Sequence, residues 1–166
     1  MKAVFLDRDG VINEDSGYVH TIQDFHFLPG VFEALKHFQN LGYHLFIVTN
    51  QSGIGRGYYT QDDFYSLSAW MVNQLKKRGI TIDKIYHCPH HPDMECTCRK
   101  PMPGMLLKAI DEFEIDPKKS WMIGDKLSDI EAAKGAGIEN TIIIGSDRGA
   151  KYQVTSLFDT INIIKQ

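Results

Sequence analysis

The apolar run Ala3-Val4-Phe5-Leu6 leads directly into Asp7-Arg8-Asp9-Gly10. Four apolar residues without alternation need cover on both faces, the environment of a strand inside a parallel sheet. Gly10 lets the backbone leave that strand sharply. Asp7 and Asp9 then stand at the strand's carboxyl end, the edge at which open α/β sheets bind ligands. A lone Asp-x-Asp is a weak signal, because solvated turns end many strands in the same way.

The rest of the chain alternates strand-like and helix-like stretches, which predicts a doubly wound parallel sheet with helices on both faces. Further strands are expected at 43–48, 82–87, 120–123 and 141–144. Val31, Leu35, Phe38 and Leu41 mark one face of a helix opened by Pro29-Gly30 and closed by Gly42. Thr60 suits the N-cap of a second helix, with Phe64, Leu67, Met71 and Leu75 on its buried face. Pro103 suits the first position of a third helix carrying Leu106, Ile110 and Phe113. A short Ala-rich helix follows the fourth strand, and Leu157, Ile161 and Ile164 suggest a last one. The 166 residues fit one domain spanning 1–166, with no internal repeat.

Eighteen Lys and Arg against 21 Asp and Glu leave a formal charge of -3. Without a basic run, this excludes a nucleic-acid or membrane-surface partner as the expectation. No stretch is apolar enough to span a bilayer, and no signal-like segment precedes the first strand, so a cytoplasmic location is expected. Three cysteines, two of them one residue apart, make a poor disulfide framework.

Three strands deliver polar groups to one rim: Asp7 and Asp9 from the first, Thr49 from the second, and Asp125 from the fourth. Carboxylates and a hydroxyl on one edge, with a lysine in a nearby loop, point to a phosphate and divalent-cation site. Mg²⁺ suits such oxygen ligands and relieves their repulsion of phosphate. Gly53-x-Gly55-x-Gly57 is not a dinucleotide fingerprint, since Tyr58 stands where the third glycine belongs.

Asp7-Arg8-Asp9-Gly10, Thr49, Lys100, and Gly124-Asp125 with Asp129 resemble, in order and spacing, the four motifs of the haloacid dehalogenase superfamily. The resemblance covers about residues 3–149. It implies that Asp7 attacks phosphorus to form an aspartyl-phosphate and that Asp9 is the acid and then the base. It also implies that Thr49 and Lys100 stabilise the phosphoryl oxygens. Mg²⁺ would be held by the Asp7 carboxylate, the Asp9 carbonyl and Asp125, with Asp129 behind them. A receiver domain that stores phosphate on an aspartate is the alternative from another class. It does not need Asp9, and it would carry its acceptor on a later strand.

Cys88-Pro89-His90 and Cys96-Thr97-Cys98 are two ligand pairs, and three thiolates with one imidazole make a closed, structural Zn²⁺ site. His91 competes with His90, and His90 is chosen because the matching family pattern uses the residue two past the first cysteine. Cys98 runs directly into Arg99-Lys100, so zinc would fix the loop that presents the lysine. This loop resembles those of the D-glycero-D-manno-heptose 1,7-bisphosphate 7-phosphatases and of the related histidinol phosphatases.

Gly17-Tyr18-Val19-His20 and the stretch from Thr49 to Gly57 are similar to the heptose enzymes. The five residues between His90 and Cys96 suit either group. Carried over by position, Asp15, Ser16, Gly17, Tyr18, Asn50, Gln51, Ser52, Arg99 and Lys126 are expected substrate contacts. Arg99 would grip a second phosphate. The expectation is therefore a capless, monomeric phosphatase acting on a small phosphorylated sugar in nucleotide-activated heptose and lipopolysaccharide synthesis. Loops near Tyr18, Gly53 and the cysteines would set its specificity.

Overall fold

The structure is a computed structural model describing residues 1–166. Its elements run in the order β1 (Ala3–Leu6), α1 (Val31–Asn40), β2 (His44–Asn50), α2 (Ser52–Gly55), α3 (Gln61–Lys76), β3 (Lys84–Cys88), α4 (Gly104–Phe113), β4 (Trp121–Gly124), α5 (Leu127–Gly135), β5 (Asn140–Ile144) and β6 (Tyr152–Val154). Two 3₁₀ turns, Pro117–Lys119 and Leu157–Asn162, complete the chain.

The six strands form one sheet in the order β3-β2-β1-β4-β5-β6, and every neighbouring pair is parallel. All four residues of β1 are fully buried, as a central strand covered on both faces demands. Its alternate side chains point to opposite faces. Val4 and Leu6 join a layer with Leu35 and Phe38 of α1 and Met71 and Leu75 of α3. Ala3 and Phe5 join a second layer with Met105 and Leu106 of α4 and Ala132 and Ala133 of α5. The doubly wound expectation is therefore met, with two helices on each face.

Thr60 caps α3 as expected. Its hydroxyl accepts from the Asp63 amide at 3.0 Å, and the Asp63 carboxylate accepts from the Thr60 amide at 2.9 Å, an arrangement contributing about 1 kcal/mol.

Several boundaries differ from the sequence expectation. β3 begins at Lys84 rather than at 82, because the side chain of Asp83 accepts from the Leu45 amide at 3.3 Å in place of a ladder partner. The expected last helix is only the 3₁₀ turn Leu157–Asn162, within which the Thr160 hydroxyl donates to the Leu157 carbonyl at 2.6 Å. β6 was not expected. It is a half-exposed edge of three residues, too short to show a period. The glycine-rich turn contains the short helix α2. Residues 11–28 form neither helix nor named strand. Two isolated bridges, Asp9 with Asn13 and Asn13 with Phe27, tie that segment down beside the end of β1.

Candidate active site

The carboxyl ends of β1, β2 and β4 lie side by side, so the sheet order itself assembles the acids. Asp7 follows β1, and its amide donates to the Ile123 carbonyl of β4 at 3.1 Å. Asp125 follows β4. The approach is close enough that a Cβ on Gly10 would stand 2.1 Å from an Asp125 oxygen, and Gly10 has φ of +87°. Only glycine fits there.

Lys100 comes from the loop before α4 and is buried, with its three ammonium protons fully used. It donates to Asp7 Oδ1 at 2.9 Å, to Asp129 Oδ1 at 2.6 Å and to the Val48 carbonyl at 2.8 Å. Asp7 Oδ1 also accepts from the Arg8 amide at 2.8 Å, which leaves Oδ2 without a donor from the chain. Asp129 does two things at once: its Oδ2 accepts from the Asp125 and Lys126 amides at 3.1 Å, and its Oδ1 holds the lysine. Asp129 thus stands behind Asp7 and Asp125 and also accepts from the backbone at the N-terminus of α5.

Three carboxylates against one ammonium leave net negative charge in a buried place. Burial, and then the neighbouring charge of Asp129, hold the Asp7 carboxyl well above the ordinary range and raise that of Asp125 as well. Burial alone would depress Lys100, but Asp129 and Asp7 outweigh it and push its pKa up, so it stays charged. Ligand oxygens of Asp7, Asp125 and Asp129 lie within 4.8 Å of one another, and Asp125 Oδ1 is buried without a hydrogen-bond partner. An oxygen-only, over-negative cluster with an unpaired acceptor fits a hard divalent cation.

A cavity of about 560 Å³ opens over these groups. Asp7, Asp9, Lys100 and Asp129 form its floor, and Asp15, Gly17, Tyr18, Ser52, Arg99 and Lys126 stand around it. Other expected residues are placed differently. Ser16 is exposed and lies outside the cavity wall. Thr49 is fully buried, and its hydroxyl accepts from Gln51 Nε2 at 2.8 Å, so Gln51 rather than Thr49 faces the cavity. Asn50 lines the cavity, yet its amide clamps the backbone of Lys100. Its Oδ1 accepts from the Lys100 amide at 3.0 Å, and its Nδ2 donates to the Lys100 carbonyl at 3.1 Å. Arg99 carries a buried Nη1 with no partner beside the cavity.

Arg8, Arg56, Tyr59 and Ser128 were missed by sequence reasoning. Arg8 is 1% exposed and forks onto Asp9 Oδ1 at 2.9 Å and the Val19 carbonyl at 2.7 Å. Its position between two acids could have signalled a partnered charge. Tyr59 and Arg56 reach the wall only through the fold of the turn after β2.

The cysteine cluster forms as expected. Cys88 at the end of β3 meets Cys96, Cys98 and His90 from the following loop, with all four ligand atoms within 4.8 Å. His90 Nδ1 lies 3.3 Å from Cys88 Sγ and 3.2 Å from Cys98 Sγ, while the Cys88 sulfur stands 3.7 Å from that of Cys96 and 2.6 Å from that of Cys98. A tetrahedral zinc site with bonds of about 2.3 Å has sulfur separations of about 3.8 Å, so the Cys88–Cys96 spacing matches and Cys98 would move away from Cys88 to take its place; three thiols and one imidazole are the donor types such a site uses. Burial raises the Cys88 thiol. Burial pulls Cys96 the same way but is outweighed by the Arg99 amide and the neighbouring thiols, which bring it down to about 7.

The profile of haloacid dehalogenase-like hydrolases matches residues 12–137. The chain is 47% identical to a D-glycero-beta-D-manno-heptose-1,7-bisphosphate 7-phosphatase of Pasteurella multocida, over 99% of this chain and 97% of that one. It is 53% identical to a D-glycero-alpha-D-manno-heptose-1,7-bisphosphate 7-phosphatase of Campylobacter jejuni, over 99% and 96%. Among solved structures, the D,D-heptose 1,7-bisphosphate phosphatase of B. bronchiseptica, complexed with magnesium and phosphate, superposes with a TM-score of 0.90 at 30% identity, covering 99% of this chain and 98% of that one. Such a match in sequence and fold over the full length leaves one conclusion: the chain belongs to the haloacid dehalogenase-like hydrolases, and within them to the heptose-1,7-bisphosphate 7-phosphatase group.

Proposed function

We propose that this protein is a Mg²⁺-dependent phosphomonoesterase that removes the 7-phosphate of D-glycero-D-manno-heptose 1,7-bisphosphate, giving heptose 1-phosphate and inorganic phosphate. The observation that carries the chemistry is the buried Lys100 ammonium bridging Asp7 and Asp129 beside an unpaired Asp125 oxygen. The names of the similar enzymes supply the substrate.

In this reading Asp7 Oδ2 attacks phosphorus in line, a P–O bond forms to the carboxylate, and the bond to the sugar oxygen breaks. Asp9 gives its proton to the departing alkoxide. It then takes a proton from the water that attacks the aspartyl-phosphate. Two acids are needed because the first is consumed as nucleophile. Lys100 meets the charge that develops on the phosphoryl oxygens, and Thr49 acts behind it through Gln51. The Asp7 carboxylate, the Asp9 carbonyl and Asp125 would hold Mg²⁺, which supplies charge neutralisation at the transferred phosphoryl group.

Asp15, Gly17, Tyr18, Gln51, Ser52 and Lys126 would surround the sugar, and the unpaired Arg99 guanidinium would take the 1-phosphate. Cys88, His90, Cys96 and Cys98 would hold a Zn²⁺ that keeps the Arg99–Lys100 segment in place. No helix of the structure is long and apolar enough to cross a membrane.

The test is phosphate release, with Mg²⁺, from both anomers of the heptose bisphosphate and from histidinol phosphate. The α anomer is expected to be the faster. The relative named for it is the more identical, and its alignment spans 168 positions against 178 for the β-specific one, closer to this chain's 166 residues. Faster release from histidinol phosphate would overturn the substrate assignment.

A further inference from the structure

Asp9 is held asymmetrically, and one arm of the hold ends on a tyrosine with no role in the steps above. Its Oδ1 accepts from Arg8 Nη2 at 2.9 Å, Arg8 Nε at 3.3 Å and Asn13 Nδ2 at 2.9 Å. Its Oδ2 accepts only from Gln51 Nε2, at 3.2 Å. A carboxylate oxygen offers about two lone-pair sites, so Oδ1 is saturated and Oδ2 keeps one for a substrate oxygen.

The amide of Gln51 fixes this arrangement, and an amide can turn over. Tyr59 prevents that. Its Oη donates to Gln51 Oε1 at 2.5 Å, which leaves Nε2 for Asp9 and Thr49. The ring is 6% exposed and stacks on His20, with centroids 4.8 Å apart and planes 6° from parallel. It also sits against Gly53, where a Cβ would come within 2.2 Å of it. Burial pushes the phenol up to about 12, so it remains a donor.

Resting on the phosphatase reading above, we propose that Tyr59 is a positioning residue for leaving-group protonation: through Gln51 it holds Asp9 so that Oδ2, and not Oδ1, meets the departing oxygen. As the bond from phosphorus to the leaving oxygen breaks, its electron pair takes the proton from Asp9 Oδ2 while the new P–O bond forms to Asp7.

The test compares two leaving groups on the Mg²⁺-loaded full chain. A sugar alkoxide must be protonated to depart, whereas 4-nitrophenolate departs without help. Tyr59→Phe removes the hydroxyl, and Gly53→Ala displaces the ring while keeping the hydroxyl. Because kcat/KM reports only the steps up to release of the leaving group and omits the later work of Asp9 as base, it is the quantity to compare: for both variants it should fall about tenfold on the heptose bisphosphate, a fraction of what a whole general acid supplies, and change less than about twofold on 4-nitrophenyl phosphate. KM for the heptose bisphosphate should rise by no more than about twofold, and the melting transition should remain cooperative. An equal loss on both substrates, or a rise in KM alone, would overturn the proposal and leave Tyr59 as packing or as a sugar contact. The substrate reading fails separately if the unmodified protein ignores the heptose bisphosphate. Any alkyl phosphate it does hydrolyse then carries the same comparison.

Discussion

The acid cluster at the end of β1 and the cysteine cluster after β3 share the segment Cys98-Arg99-Lys100 but are built on opposite plans. The acids arrive from different strand ends that only the sheet brings together, and they carry more negative charge than Lys100 can answer. Their donors are hard oxygens, one of them unpaired, beside an open cavity. The cysteines and His90 come from eleven consecutive positions, 88–98, and bring together three soft sulfur donors and one imidazole, a set that fills a tetrahedral zinc site with no free position. An over-negative, open site suits a cation that helps to bind and release phosphate. A closed one suits a permanent fastening for the lysine.

Each plan can be broken separately. Asp7→Asn removes the nucleophile and should lower kcat by about 10⁴-fold or more with the fold intact, as read by phosphate release and circular dichroism. Cys98→Ser opens the closed set and should lower zinc affinity and activity about 10- to 100-fold, because Lys100 loses its anchor rather than its charge. Elemental analysis alongside the assay would separate this from a direct effect. Arg99→Ala should raise KM for the bisphosphate about tenfold or more and leave KM for a sugar carrying only the 7-phosphate nearly unchanged, since a charge-assisted bond is worth about 1.5–3 kcal/mol.

The smallest effect concerns pH. Burial and then Asp129 raise the Asp7 and Asp125 carboxyls above their unfolded value. In the metal-free protein, the stability they contribute is complete below the unfolded value near pH ~4 and is lost as pH rises through their raised folded values. Mg²⁺ competes with those protons, so the rise in Tm on adding it should be larger at pH 8 than at pH 5. An equal rise at both would show that the acids are not its ligands.

Sequence revealed the acids better than their surroundings. Asp7 and Asp125 each end an apolar run, so pattern located them, whereas Lys100 was singled out by the resemblance to the family's motifs. The hold on Asp9 was hidden, because Arg8, Asn13 and Gln51, with Tyr59 behind Gln51, reach it through a turn and a bridge that carry no period. Asn50 and Thr49 were read as facing the ligand. Their neighbours in the fold, the Lys100 backbone and Gln51, claim their polar atoms instead. β6 and the 3₁₀ turn near the end are short, half-exposed elements whose form depends on what they pack against.

The contrast between the two clusters is tested most directly by desalting the purified protein into a chelating buffer, measuring its zinc, and then assaying phosphate release as Mg²⁺ alone is returned. The account predicts about one zinc retained per chain, no turnover before Mg²⁺ is added and full turnover after it. Full activity that returns with zinc and not with magnesium, or that returns with magnesium in protein emptied of zinc, would contradict it.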